Sequence, residues 1–146
     1  MAPNVRFFAL ASEHSGLLDQ HRAAIEDLRA QIFEAGQLPS LIKTAQVLLD
    51  ENLIPTDLIA YQESIGVIIG DEIVSRTGFR WLSVEFDGVL EPSVCHPEKS
   101  VFVSPVSAVI KRFRRRETKF DIEHFLTESI QICHSQAQGA RELTLS

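Results

Sequence analysis

Two Cys-His dipeptides, Cys95-His96 and Cys133-His134, bring thiols and imidazoles, the side chains that hold zinc. Structural zinc sites space their ligands by two to four residues. Adjacent residues on a strand point to opposite faces, and on a helix they diverge by about 100°. Each dipeptide would have to break its own element to place both members on one metal, so no metal and no cofactor are expected. Cys133 also lies in the apolar stripe of its helix, where a thiol behaves as a small hydrophobe. His124 and Glu128, four apart, have metal-compatible spacing without a third ligand and read as an i to i+4 contact. His14 and His21, one heptad apart, read as hydrogen-bonded residues at the edge of a core rather than as catalysts.

The candidate functional acids are Asp71, Glu85 and Asp87. Glu85 and Asp87 share one side of a strand entering a turn, and Asp71-Glu72 lies upstream, an acid set of the kind a metal-dependent hydrolase uses. No lysine completes it in the strand, and turn chemistry accounts for Asp87. Asp71 faces Val67, Val74 and Ser75 on its helix, so its carboxylate needs a partner; Lys111, Arg112, Arg80 and the Trp81 indole are candidates. A structural, hydrogen-bonded acid is the plainer reading. A serine hydrolase has no support, because the Gly-x-Ser-x-Gly elbow is missing. The last feature is KRFRRRETK, residues 111–119, with six of the fourteen basic residues. On a helix Lys111, Arg114 and Arg115 face outward while Phe113 points inward, and Arg116 follows. Helix-terminal and ion-pair roles account for one or two of these cations rather than six. Lys111, Arg114, Arg115 and Arg116 are therefore expected to bind protein.

The elements behind these residues follow from periodicity. Leu18, Ile25, Leu28, Ile32 and Ala35 make a first helix, with Gly36 placed for a left-handed cap. A second helix starts at Ser40 as N-cap, buries Leu41, Ala45 and Leu48, and ends before Pro55; Thr56 can cap the third. That third helix, roughly 57–77, is apolar nearly all round, hence central. It contains Gly66 and Gly70 on one face, each costing about 1 kcal/mol relative to alanine, which close packing offsets. A phosphate loop is disfavoured, since these glycines lie inside a helix rather than before one. After Gly78, residues 79–86 alternate: Leu82, Val84 and Phe86 on one face, Phe79, Trp81, Ser83 and Glu85 on the other. Asp87-Gly88 is a two-residue hairpin signal, and Pro92 marks the return strand as an edge or bulged one. Val101–Val103 is a third strand. Ser104-Pro105 opens a helix as N-cap and first-turn proline, and a last helix begins at Asp121. The expected fold is α+β: N-terminal helices, a three-stranded antiparallel meander and two C-terminal helices packed on the sheet. It forms one domain over 1–146, with poorly ordered ends at 1–11 and 138–146.

Composition narrows the classes. A chain of 146 residues with 45% hydrophobic and 23% charged residues buries a core without staples. A net charge of −6 disfavours a general nucleic-acid binder. Two cysteines make no disulfide framework and point to a reducing compartment. The run Arg6–Ser12, RFFALAS, is too short for a signal h-region, and nothing approaches a membrane span, so a cytoplasmic location is expected.

Taken together, Gly66-x-x-x-Gly70-Asp71, Gly78-Phe-x-Trp81, a hairpin, and Pro105 followed six residues on by Lys111-Arg112 resemble a family of small bacterial proteins catalogued only as a domain of unknown function. The resemblance covers about residues 60–126. It implies an α+β fold and carries no agreed activity, ligand or catalytic residue. Ser104 departs from the aromatic or apolar residue expected before that proline. With no catalytic set assembled, the expected role is a binding or accessory protein that recognises another protein, an immunity-type inhibitor being one form. The alternatives are a metal-dependent hydrolase using Asp71, Glu85 and Asp87, and nucleic-acid or phosphate binding through the arginine helix.

Overall fold

The computed structural model describes residues 4–55, 57–115 and 119–146. In chain order these form β1 (Val5–Phe8), α1 (Ser12–Ile32), a 3-10 turn (Ala35–Gln37), α2 (Leu41–Asp50), α3 (Ile59–Thr77), β2 (Arg80–Phe86), β3 (Val89–Cys95), β4 (Phe102–Val103), α4 (Pro105–Arg114) and α5 (Ile122–Ala137). The fold is α+β, with an antiparallel sheet in the order β1-β2-β3-β4.

Helix α3 is central because its sequence offers no polar face in the middle. Every residue from Ser64 to Gly70 is buried, and the helix packs on α1, α2, α4, α5 and the inner face of the sheet. Gly78 ends it at φ 79°, a left-handed cap in which its N–H reaches the Val74 carbonyl. Ser40 caps α2 by accepting from the Lys43 N–H, and Asp121 caps α5 by accepting from the His124 N–H. Asp87 and Gly88, at φ 50° and 81°, turn β2 into β3, as a hairpin of two left-handed residues requires. Pro92 opposes Ser83, whereas β4 pairs only with Val94 and Cys95. At Pro92, β3 is therefore a sheet edge, where a missing N–H costs no ladder bond.

Alternation splits the sheet between two cores. Phe79, Trp81 and Val94 face the helices, with Ile65, Ile69, Ile73, Val109 and Leu126. Phe7, Leu82, Val84 and Cys95 form a second cluster on the other face, flanked by Val5, Phe102 and Leu143.

Several expectations need correction. There are four described strands rather than three. Val5–Phe8, within the end expected to be poorly ordered, pairs with β2 and buries Phe7. The other end is tied down as well. The Leu143 N–H donates to Glu98 O at 2.8 Å and the Ser146 N–H to Phe7 O at 2.7 Å. Gly36 is no helix cap: α1 stops at Ile32 and Gly36 sits in the 3-10 turn. Ser104 makes no capping bond, because its hydroxyl pairs with Ser93 Oγ across the β3–β4 junction at 3.0 Å. Thr56 lies outside the described residues, as does Arg116. No helix among the described residues is long and apolar enough to cross a membrane.

Candidate functional site

The glycine strip is a contact surface for two different neighbours. A Cβ on Gly66 would stand 2.5 Å from Val106 Cα, so the first turn of α4 lies directly on the α3 backbone there. A Cβ on Gly70 would stand 2.3 Å from Trp81 Cζ2, so the indole of β2 occupies the space a side chain would fill. From this place over Gly70 the indole Nε1–H reaches Asp71 Oδ1 at 2.9 Å. Arg22 of α1 approaches the same carboxylate as a fork, Nε–H to Oδ2 at 2.7 Å and Nη2–H to Oδ1 at 2.8 Å. Asp71, chiefly through these hydrogen bonds, raises the Arg22 pKa above its ordinary value. One acid thus joins α1, α3 and β2. Of its expected partners the Trp81 indole is present; the cation is Arg22, not Lys111, Arg112 or Arg80.

The other two acids do not join Asp71. Glu85 sits half-buried near the end of β2, opposite Arg6 on β1 and Leu90 on β3. Asp87 forms the exposed turn itself. Among the described residues no group of three or more His, Cys, Asp or Glu side chains is arranged to hold a metal ion.

His14 and His21 are hydrogen-bonded at the edge of the core. His21 Nδ1 lies 2.7 Å from Ser64 Oγ, and Ser64 gives its own proton to Ala60 O, so the imidazole is the donor. His14 Nδ1 lies 2.7 Å from the buried Ser83 Oγ, which also accepts the Ala11 N–H. His124 Nε2 reaches Glu128 Oε2 at 3.0 Å, the expected i to i+4 contact. The two Cys-His dipeptides approach one another in a way their local geometry does not suggest. The His96 and His134 rings are 6.4 Å apart, each against Phe79 at 5.3 and 5.6 Å. His96 Nδ1 accepts the N–H groups of Glu98 and Lys99, which places its ring proton on Nε2. Both thiols are free and buried, and burial pushes the Cys95 pKa up to about 12.

At the end of α4 the basic run divides. Arg112 turns inward, its guanidinium 4.7 Å from the Phe120 ring centroid and 6.0 Å from that of Phe125. Lys111, Arg114 and Arg115 are exposed, and their side chains make no hydrogen bond or ion pair among the described residues. The acids Glu72, Glu123 and Asp19 do not neutralise them, since they pair with Arg76 and Arg22 instead.

A family model described as Domain of unknown function (DUF3806) matches residues 42–125, more than half of the chain. The chain belongs to this family. The DUF3806 match runs from α2 into α5 and takes in Gly66, Gly70, Asp71, Trp81 and the cationic end of α4. β1, α1 with Arg22, and the C-terminal segment lie outside it. No curated protein matches the sequence. A crystal structure of a protein from Bacteroides thetaiotaomicron VPI-5482 shares the fold, with a TM-score of 0.75 at 10% identity. The alignment covers 88% of this chain and 48% of that one, so the DUF3806 protein spans about half the length of its structural neighbour.

Proposed function

We propose that this DUF3806 protein is a binding or accessory protein of the bacterial cytoplasm, and that it recognises an acidic surface on another protein through Lys111, Arg114 and Arg115. The observation that carries this reading is that three neighbouring cations stand exposed, with no ion pair among the described residues, on a chain whose net charge is −6. Unneutralised charge on one helix end steers encounter with an oppositely charged partner and fixes register once bound. An immunity-type inhibitor of an acidic target is one form such a protein takes. Hydrolysis has less behind it, since Asp71, the acid such chemistry would need, already holds Arg22 and Trp81. Nucleic-acid binding also has less, because the cluster is short and Phe113, its own aromatic residue, packs into the core instead of standing free to stack.

The test compares the parent with a Lys111→Gln, Arg114→Gln, Arg115→Gln variant as baits in nuclease-treated native extract. The variant should melt as the parent does, because exposed charges contribute only about 0–1 kcal/mol each. It should lose the proteins that the parent recovers. Recovery of the same proteins would refute the assignment, and so would tight, salt-resistant duplex binding by the parent.

A further inference from the structure

Side chains from the two edges of the sheet meet across one of its faces. β1 and β4 stand at opposite ends of the strand order, yet the Phe7 and Phe102 rings make an edge-to-face contact at 5.9 Å. Beside this contact opens a cleft of about 500 Å³, floored by Val5, Phe7 and Phe102. Its polar lining is Asn4, Ser100, Arg141, Glu142 and Thr144. The C-terminal segment runs as a strap along the opening, held by Ser100 N–H to Arg141 O at 2.9 Å and by the bonds from Leu143 and Ser146. A cleft of this volume falls within the size range of small-molecule sites.

Charge selects the ligand. Glu142, the acid of the lining, is held by Lys99 Nζ, so this pair is neutral. The Arg141 guanidinium is exposed and makes no ion pair or hydrogen bond among the described residues; the same holds for the Thr144 hydroxyl. What remains is one uncompensated planar cation beside an aromatic floor in which Phe7 is buried and Phe102 is the half-exposed ring. We infer that this cleft binds a small aromatic carboxylate, its ring against the half-buried Phe102 and its carboxylate on the Arg141 fork, with the Thr144 hydroxyl as a further donor. Arginine suits a carboxylate because its paired N–H groups match the two oxygens. The aromatic floor supplies ring contacts that prefer edge-to-face or offset geometry. The site is separate from the cationic end of α4, and either can fail without the other.

The experiment is a titration of isotope-labelled protein with 1-naphthoate, followed by amide chemical shifts. Saturable one-site binding is expected, with shifts gathered at Val5, Phe7, Phe102, Arg141 and Thr144. Arg141→Gln, on an exposed side chain, should leave the melting temperature unchanged and weaken binding by about two- to fivefold, the scale of one exposed ion pair. The neutral analogue 1-naphthalenemethanol should bind the parent correspondingly more weakly, and Arg114→Gln should bind naphthoate as the parent does. Non-saturable shifts, shifts centred on the exposed hairpin residues Phe86, Val89 and Leu90, or an Arg141→Gln variant that binds like the parent would each overturn the assignment.

Discussion

Asp71 gathers three hydrogen bonds from two elements other than its own, and its carboxylate is one-third exposed, as is Arg22. Hydrogen bonds to charged groups contribute about 1.5–3 kcal/mol, and solvent at this depth reduces that. Asp71→Asn should therefore lower the unfolding free energy by about 1–2 kcal/mol in urea titration; an unchanged midpoint would show that the carboxylate holds nothing together. The indole partner was legible, since Trp81 lies ten residues away in the same motif. Arg22 was not, because it lies 49 residues away and meets Asp71 only through the packing of α1 on α3. The thiols belong to this scale too. Cys95 is wholly buried and its pKa is raised from 9.0 to about 12 by that burial; Cys133 is raised for the same reason. A neutral thiol kept in the fold stabilises below the unfolded value, and that stability is lost as pH rises from about 9 to about 12, where only the unfolded chain ionises. Ellman's reagent at pH 8 should leave both thiols of the native protein unmodified over the time in which it titrates two in denaturant. Prompt native reaction would contradict their burial.

Among the elements, three helical glycines give opposite predictions. A Cβ on Gly16 in α1 would meet nothing within 4 Å, whereas one on Gly66 meets the α4 backbone and one on Gly70 the Trp81 ring. Gly16→Ala should raise stability by about 0.5–1 kcal/mol through helix propensity. Gly66→Ala gains the same propensity but pushes α4 away, and overpacking costs about 1–3 kcal/mol, so the net effect should be destabilising. Calorimetry that found Gly66→Ala at least as stable as the parent would remove the packing account of the strip. The strip itself was readable, since a four-residue spacing places two small residues on one helical face. Its occupants were not, because periodicity says which face is flat and nothing about what lies on it. Caps at Ser40, Asp121 and Gly78 were readable because each is a local bond or dihedral preference. Ser104 misled for the same reason: a capping residue type found a better partner across the sheet in Ser93. β1 was missed although Val5-Arg6-Phe7 alternates, since four residues carry little periodic signal and their pairing partner begins more than seventy residues later.

For the whole molecule, the residues that carried the resemblance are largely accounted for as architecture. Gly66 and Gly70 admit α4 and Trp81, Asp71 ties down the indole and α1, and Gly78 turns the chain into β2. What is left without a structural task is the exposed cationic end of α4, Lys111, Arg114 and Arg115, and on it the functional proposal rests. Among the described residues, Arg76 pairs with Glu72 and Glu123 and Lys99 with Glu142, while Lys111, Arg114 and Arg115 have no ion-pair partner. The measurement that tests this most directly is photo-crosslinking in the native cell, with p-benzoylphenylalanine replacing Arg115 or, as a control, the exposed Glu128 on α5. The account predicts a discrete protein adduct from position 115 that is absent from position 128. No adduct at 115, an adduct to nucleic acid, or the same adduct from both positions would contradict it.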